Sequence, residues 1–311
     1  MSDKALNKIL ISIVGPTAIG KTALSITLAQ HFSTEIISAD SRQFFKEMSI
    51  GTAKPSPEEL EQAKHYFVNS HSIENLFSTG DFEIQALNKL EDIFKNHDNA
   101  IMVGGSGLYI NAVCNGLDKL PETDLNIRAQ LNQQFEKEGI EAIKLELEVS
   151  DPEYYLRVDQ ANPQRMIRGL EFFLSTGSKL SSYQTNSKKD RPFNIITIGL
   201  NTDRKLLYEK INHRVDLMMQ AGLLEEVKAL LPHRNLNALK TVGYSEIFEY
   251  LDSEINLEQA VDKIKQNTRR FAKRQLTWFR KDENTKWFEP NQTTEIIAYL
   301  KSAIDKIKLV Q

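Results

Sequence analysis

The residues best suited to chemistry lie close to the N-terminus, in the segment GPTAIGKT at residues 15–22. This segment fits the pattern GxxxxGK[ST], follows an apolar run at residues 9–14 and precedes a helical pattern at residues 22–31. In such a phosphate loop (P-loop), glycines let backbone N–H groups wrap a phosphate chain, and the lysine, here Lys21, adds a positive charge. The hydroxyl of Thr22 can hold Mg²⁺. The sequence therefore predicts a phosphate-binding site.

A P-loop recognises phosphates without identifying the rest of the ligand, and taken alone it would favour a small-molecule kinase. Asp40 is a second candidate, because it follows a predicted strand at residues 35–38. It is therefore expected at the carboxyl edge of the sheet, where open α/β sheets bind ligands. Asp40 could ligate Mg²⁺, act as a catalytic base or cap the segment that follows. The residue pattern leaves these three roles open.

The elements that must position these residues alternate along the chain. Further apolar runs that end in turn residues or an acid lie at residues 100–103, 193–200 and, more weakly, 285–288, with helical patterns between most of them. Such alternation predicts a parallel sheet covered by helices on both faces. Between residues 118 and 192 the strand signal disappears, and helical patterns such as Leu125 to Gly139 and Pro163 to Leu174 replace it. We therefore predict a core domain at 1–117 and 193–311 and a helical insertion domain at 118–192.

The exit of the predicted insertion, residues 175–192, is rich in Ser and Lys, which is typical of a mobile loop or hinge.

The 311 residues contain 39 Lys and Arg against 42 Asp and Glu, so net charge gives no reason to expect a nucleic-acid partner. A single cysteine, Cys114, excludes an intramolecular disulfide. The histidines lack metal-ligand spacing, and no apolar run reaches the length of a signal peptide or a membrane span. A cytoplasmic enzyme that needs no membrane is expected.

Positive charge is instead concentrated locally, in a helical pattern at residues 256–282. One face carries an apolar stripe, namely Leu257, Val261, Ile264, Phe271 and Trp278. The other carries Lys263, Lys265, Arg269, Arg270, Lys273, Arg274, Arg280 and Lys281, against three acids in the segment. This pattern predicts either an RNA-phosphate surface or an ordinary solvated face. The rings of Phe271, Trp278 and Phe279 are predicted to pack in the core and not to stack on bases.

Six motifs, in order, closely resemble those of the tRNA dimethylallyltransferase (tRNA isopentenyltransferase) family. They are GPTAIGKT, DSRQFFKEMSIGTAKP, GGSGLY, NPQRMIRGLE, TVGYSE and TRRFAKRQLTWFR, and they span Gly15 to Arg280. The resemblance implies an α/β fold: a P-loop NTPase-like parallel sheet flanked by helices, with a smaller helical insertion domain. It implies transfer of a dimethylallyl group from dimethylallyl diphosphate to the N6 amine of the adenosine on the 3′ side of the tRNA anticodon. Mg²⁺ is the implied cofactor, tRNA and the diphosphate are the partners, and a monomer is expected.

The resemblance also implies roles for single positions. The donor diphosphate is expected on Gly15, Pro16, Thr17, Ala18, Ile19, Gly20, Lys21 and Thr22. Catalytic roles fall on Asp40 as general base, on Lys21, Thr22 and Ser106, and on Arg214, which is either a clamp on the diphosphate or a solvated helix residue. Contacts with tRNA map onto Asp40, Ser41, Arg42, Gln43, Ser106, Arg128, Gln164, Arg165, Met166, Ile167, Arg168, Lys240, Thr241, Val242, Gly243, Tyr244, Ser245, Arg269, Lys273 and Arg274.

Three positions depart from the family pattern. Ser106 replaces the usual threonine and keeps the hydroxyl. Phe45 stands where tyrosine is common, so a hydrogen bond from that phenol is absent. Asn162 lacks the acid that precedes the proline in the family, so no role of that acid is carried over.

Overall fold

The computed structural model describes residues 7–185 and 187–309. Its centre is a parallel six-stranded sheet in the order β3-β2-β4-β1-β5-β6. The strands are β1 (Ile9–Val14), β2 (Ile36–Ser38), β3 (His65–Tyr66), β4 (Asn99–Val103), β5 (Asn194–Leu200) and β6 (Lys286–Phe288). All six residues of β1 are buried. An Ile-rich run without alternation suits this position, because helices cover both faces of a parallel sheet.

Within residues 7–185 and 187–309, nine helices belong to the same compact unit as the sheet. They are α1 (Lys21–His31), α2 (Pro57–Gln62), α3 (Thr79–Asn96), α4 (Gly107–Asn115), α10 (Arg204–Gln220), α11 (Leu223–Ala229), α12 (Ser245–Leu251), α13 (Leu257–Phe279) and α14 (Thr293–Leu309). Short 3₁₀ turns occupy Leu231–His233 and Asn237–Leu239. Capping boxes begin α2, α3 and α13, where Ser56, Ser78 and Asn256 accept the backbone N–H three residues ahead.

This core unit consists of Met1–Asn115 and Asp190–Gln311, and the insertion unit is Gly116–Lys189. The insertion unit contains α5 (Leu125–Glu138), α6 (Ile140–Ser150), α7 (Pro152–Arg157), α8 (Pro163–Thr176) and α9 (Leu180–Tyr183). It has its own apolar interior, built around Leu131, Ile143, Leu147, Met166 and Leu170. The insertion domain that the sequence predicts is residues 118–192.

The prediction of a mobile loop at residues 175–192 is wrong for α9. Leu180 packs into the interior of the insertion unit, where it is 2% exposed. The buried carboxylate of Asp151 accepts hydrogen bonds from the N–H and the hydroxyl of Ser181, at 2.9 and 2.6 Å. The polar composition of this stretch gave no indication that Leu180 and Ser181 hold it against the insertion unit. Asn186, also in the predicted loop, lies outside the described residues.

Candidate active site

The P-loop joins the end of β1 to the start of α1 and depends on two glycines. Gly20, with φ of 104°, precedes α1, and no side chain caps the first turn of this helix. Its first N–H groups are therefore available to an anion. Gly15, with φ of 144°, lies so close to the end of β5 that a Cβ atom there would be 2.7 Å from the carbonyl oxygen of Leu200. Both positions need glycine for backbone reasons.

Lys21 bends back over the P-loop. Its Nζ donates to the carbonyl oxygens of Gly15 and Pro16, at 3.0 and 2.7 Å. Burial lowers the pKa of Lys21 to about 8, the charge of Asp40 opposes this shift, and Arg214 adds to it. The ammonium is therefore mostly charged at neutral pH, and its hydrogen-bond partners among the described residues are neutral carbonyls. A phosphate anion would be a stronger partner.

A cavity of about 280 Å³ lies above the P-loop, and a second cavity of about 220 Å³ adjoins it. The first is lined by Lys21 and Thr22. The second has more apolar walls, contributed by Val215, Met218, Val242, Ile264 and Phe271. Both cavities are lined by Thr17, Asp40, Arg214 and Phe271. Groups bound in the two cavities would therefore meet at these shared side chains.

Asp40 follows β2, as predicted, and its Oδ1 accepts the N–H of Arg42 at 3.0 Å. This hydrogen bond is the one expected if Asp40 caps the segment that follows it, which is one of its three predicted roles. The carboxylate also lines both cavities, so capping does not withdraw it from the site. Next to it, the N–H of Ser41 donates to the hydroxyl oxygen of Ser106 at 2.9 Å. The loop after β2 is thereby tied to the loop after β4.

The two loops can meet because Gly104 has no side chain. A Cβ atom at Gly104 would lie 2.3 Å from the carbonyl oxygen of Ala39. Opposite them, Arg214 projects from α10, and its Nη1 is 3.4 Å from the hydroxyl oxygen of Thr17. Burial lowers the pKa of Arg214 below its usual value, and the charge of Asp40 opposes that shift. The structure thus brings Lys21, Thr22, Asp40 and Arg214 to one cavity.

A carboxylate on α11 shapes the wall of the second cavity. Glu226 accepts the consecutive N–H groups of Ser49, Ile50 and Gly51, at 3.0, 2.7 and 3.1 Å. The hydroxyl of Tyr244 donates to the same carboxylate at 2.6 Å. Sequence reasoning missed Glu226, because nothing in its neighbourhood shows that three amides from a distant loop converge on it.

Lys54 and His65 were also missed. Lys54 holds the same loop, since its Nζ donates to the carbonyl oxygen of Phe45 and to Oδ1 of Asn69. Burial lowers the pKa of Lys54 to about 8, against the charges of Glu226 and Glu47. His65 lines the P-loop cavity, and its Nδ1 is 2.7 Å from the carbonyl oxygen of Ala63. Lys54 could have been singled out as a site residue because it belongs to the GTAKP motif at residues 51–55.

The predicted tRNA-contacting positions in the insertion unit divide into two sets. Gln164 and Arg165 are exposed in the first turn of α8, whereas Met166 and Ile167 are fully buried. Arg128 and Arg168 are partly exposed and both form ion pairs with the buried carboxylate of Glu171. The side chains of Met166 and Ile167 therefore belong to the interior and cannot reach RNA.

In the core unit, Tyr244 is fully buried beneath the second cavity wall, so its side chain cannot reach RNA either. Gly243 is buried, Lys240 is exposed, and Thr241, Val242 and Ser245 are half-buried. Of the basic residues on α13, Lys273 and Arg274 are exposed, whereas Arg269 donates to Oδ1 of Asn212 at 2.6 Å.

The predicted apolar stripe of α13 is partly wrong. Phe271 and Trp278 are 38% and 39% exposed, whereas Phe279 is buried, as predicted. The buried residues of this helix are Ala260, Ile264, Ala272, Gln275 and Phe279. Large side chains dominated the sequence pattern, whereas the buried side of α13 also carries Ala272 and Gln275, and the amide of Gln275 contacts the P-loop.

The chain is similar to known proteins over most of its length. A family model described as IPP transferase matches residues 43–282. A tRNA dimethylallyltransferase of Christiangramia forsetii is 54% identical over 301 residues, covering 96% of this chain and 100% of that protein. One of Flavobacterium johnsoniae is 52% identical over 300 residues, covering 94% of this chain and 97% of that protein.

Solved structures are similar over almost the whole chain. The tRNA isopentenylpyrophosphate transferase of Bacillus halodurans has a TM-score of 0.73 and 35% identity, covering 97% of this chain and 99% of that one. A eukaryotic dimethylallyltransferase that acts on tRNA has a TM-score of 0.78 and 26% identity, covering 96% of this chain and 80% of that one. Among the helices of the described residues, none combines the length and the hydropathy that a membrane span requires.

Proposed function

This chain belongs to the IPP transferase family, and from that premise we propose that it transfers a dimethylallyl group from dimethylallyl diphosphate to tRNA. The acceptor is the N6 amine of the adenosine on the 3′ side of the anticodon. A bond forms between this nitrogen and the allylic carbon, the bond from that carbon to oxygen breaks, and diphosphate leaves. The single observation that carries the mechanism is that Asp40 lines both the P-loop cavity and the adjoining cavity.

An exocyclic adenine amine is a weak nucleophile, because its lone pair is delocalised into the ring. A carboxylate that accepts its proton as the new bond forms contributes about 10² to 10⁴ in rate. Asp40 is placed for this task if the adenine occupies the adjoining cavity and the diphosphate occupies the P-loop cavity. To enter, the base must leave the stacked anticodon loop, which costs a few kcal/mol.

The leaving diphosphate gains negative charge as the carbon–oxygen bond breaks. Lys21, Arg214 and the uncapped N–H groups of α1 surround the cavity where that charge develops. Preorganised positive groups of this kind stabilise the transition state more than the ground state. Arg214 therefore acts as a clamp and not as a solvated helix residue, in keeping with its 3.4 Å approach to Thr17.

The donor set of this cavity fits Mg²⁺. The hydroxyl of Thr22 and the carboxylate of Asp40 line the same cavity, and Mg²⁺ binds through one or two such oxygens together with substrate phosphates and water. When bound, the ion would neutralise charge on the diphosphate.

Because tRNA is the acceptor, we place the reaction in the cytoplasm.

Two surfaces are proposed to contact tRNA, one in each unit. In the core unit it is the exposed basic side of α13, including Lys273 and Arg274. In the insertion unit it is the first turn of α8, where Gln164 and Arg165 are exposed. Positive side chains at such positions neutralise backbone phosphates without reading sequence.

The function is tested with tRNA that lacks the modification, incubated with dimethylallyl diphosphate and Mg²⁺. Mass spectrometry of the digested tRNA should show one adenosine per molecule heavier by a dimethylallyl group, at the anticodon-adjacent site. Thermal unfolding gives an independent readout, since a ligand stabilises by RT ln(1 + [L]/Kd). Dimethylallyl diphosphate should raise Tm more than ATP with Mg²⁺. Protection by ATP alone, with no modified tRNA, would favour a kinase or a nucleotide-switched protein.

A further inference from the structure

One buried amide in α13 bridges two loops of the active site. Gln275 is 6% exposed. Its Oε1 accepts the N–H of Thr17 at 2.9 Å, and its Nε2 donates to the carbonyl oxygen of Gly105 at 2.9 Å. Thr17 lies in the P-loop, and Gly105 lies in the loop after β4.

The second of these loops is hydrogen-bonded to the loop that carries the proposed base. Ser106 follows Gly105, its hydroxyl accepts the N–H of Ser41, and Ser41 follows Asp40. Three hydrogen bonds and the chain link between Gly105 and Ser106 thus connect the P-loop through Gln275 to the backbone beside Asp40. The strands that carry the P-loop and Gly105, β1 and β4, are neighbours in the sheet.

The chemistry of the bridge suits an amide. One end must accept a hydrogen bond and the other must donate one, which a Gln side chain does at every pH without depending on protonation or on a ring tautomer. The contact is also tight, because a Cβ atom at Gly105 would lie 2.3 Å from Nε2 of Gln275. The glycine therefore leaves room for the amide to approach the loop backbone.

We propose that Gln275 is a positioning residue, which sets the separation between the loop that holds the diphosphate and the loop that carries Asp40. The inference rests on the proposed function, in which the two loops hold the two reacting partners. Transfer requires the amine and the allylic carbon to be held at near-contact distance, and a displacement of about 1 Å can cost about 10² in rate. Gln275 also lines the P-loop cavity, but its amide oxygen and nitrogen bind Thr17 and Gly105, so it acts through these two loops.

Three variants test this role. Gln275→Ala removes both hydrogen bonds. Gly105→Ala leaves Gln275 intact and pushes its amide away, because the atom that must move is the end of a flexible side chain. Gln275→Glu retains an acceptor for Thr17, but its carboxylate cannot donate to Gly105 until it is protonated. Gln266→Ala, at an exposed position of the same helix, is the matched control.

The measurements are the single-turnover rate at saturating donor and tRNA, the Kd of each substrate and the Tm. We expect Gln275→Ala and Gly105→Ala to slow transfer by about 10- to 100-fold, with each Kd within about 3-fold of wild type. The rate of Gln275→Glu relative to wild type should rise as pH falls, because protonation restores the donor. Gln266→Ala should match wild type in every readout.

Three results would overturn the positioning role: single-turnover rates within about 3-fold of wild type, a loss accounted for by weaker substrate binding, or a pH-independent ratio for Gln275→Glu. If Gln275→Ala does not fold, Gly105→Ala decides the first two outcomes and Gln275→Glu decides the third. A wild-type protein that transfers no dimethylallyl group would instead refute the proposed function, so the two failures are distinguishable.

Discussion

Ser41 and Ser106, 65 residues apart in the chain, are joined by two hydrogen bonds: the N–H of Ser41 donates to Oγ of Ser106 at 2.9 Å, and that hydroxyl donates to Oγ of Ser41 at 3.1 Å. The pair links the loops after β2 and β4 next to Asp40. Ser106 stands where the family usually has threonine, and the hydroxyl that both residues share is bonded here to Ser41.

Ser106→Ala should leave the N–H of Ser41 without its acceptor, at a cost of about 1 to 3 kcal/mol if that group stays away from water. We expect a lower Tm and slower single-turnover transfer. Ser106→Thr keeps the oxygen and should retain both properties. Equal transfer rates for wild type and Ser106→Ala would show that the linkage does not support the reaction.

Lys21→Ala should weaken binding of dimethylallyl diphosphate by about 10- to 100-fold, as expected for loss of a charge-assisted hydrogen bond, and leave the Kd for tRNA nearly unchanged. The pKa of Lys21 is about 8 in the unliganded protein, so its positive charge is lost as pH rises through that value. Donor affinity of the wild type should therefore fall above pH 8, and that of Lys21→Ala should not. Isothermal titration at several pH values measures both, with the exposed Lys95→Ala as control. A parallel decline in the two proteins would contradict the assignment.

Asp40→Asn should bind both substrates and slow prenyl transfer by about 10² to 10⁴, because Asn retains the acceptor for Arg42 N–H but loses basicity. The measurement is single-turnover transfer, since steady-state kcat can report product release. If the main role of Asp40 is to ligate Mg²⁺, the variant will bind the donor more weakly and added Mg²⁺ will partly restore the rate. A near-normal single-turnover rate would remove Asp40 from the mechanism.

Lys273→Ala and Arg274→Ala should each weaken tRNA binding and reduce the magnitude of the log–log salt slope by about 0.7 to 0.9, as expected for one lost phosphate contact. Arg269→Ala should change the slope less, because its guanidinium is held by Asn212. Filter binding or fluorescence anisotropy at several salt concentrations gives the slopes. An unchanged slope in the Lys273 and Arg274 double variant would leave this side of α13 as solvated surface.

Local patterns in the sequence predicted the parts of the fold that depend on neighbouring residues. Five strands were predicted because each is an apolar run closed by turn residues, as at Ile9–Val14. β3 was missed because two half-buried residues, His65 and Tyr66, show no periodicity. The pattern also could not reveal that Leu180 anchors the exit of the insertion unit, since one leucine in a polar stretch carries little signal.

The candidate site was predictable where one motif holds the relevant residues together, as at Lys21 and Thr22. It was not predictable where the partners are distant. Gln275 meets Thr17 across 258 positions of the chain, and Glu226 meets Ser49 across 177. Neither a glutamine nor a glutamate in a helix indicates which backbone amides it will bind. Such contacts follow from the packing of elements and not from spacing along one of them.

The position of the insertion unit in the chain has a consequence for biosynthesis. β1 pairs with β4, which precedes the insertion, and with β5, which follows it. During translation the N-terminal part of the sheet therefore emerges with one edge of β1 unpaired, and that edge stays open while Gly116–Lys189 is synthesised. The insertion unit is continuous and has its own apolar interior, so it can fold on the ribosome before the sheet is complete. The nascent chain thus carries an exposed central strand, a natural target for chaperones, until β5 is made.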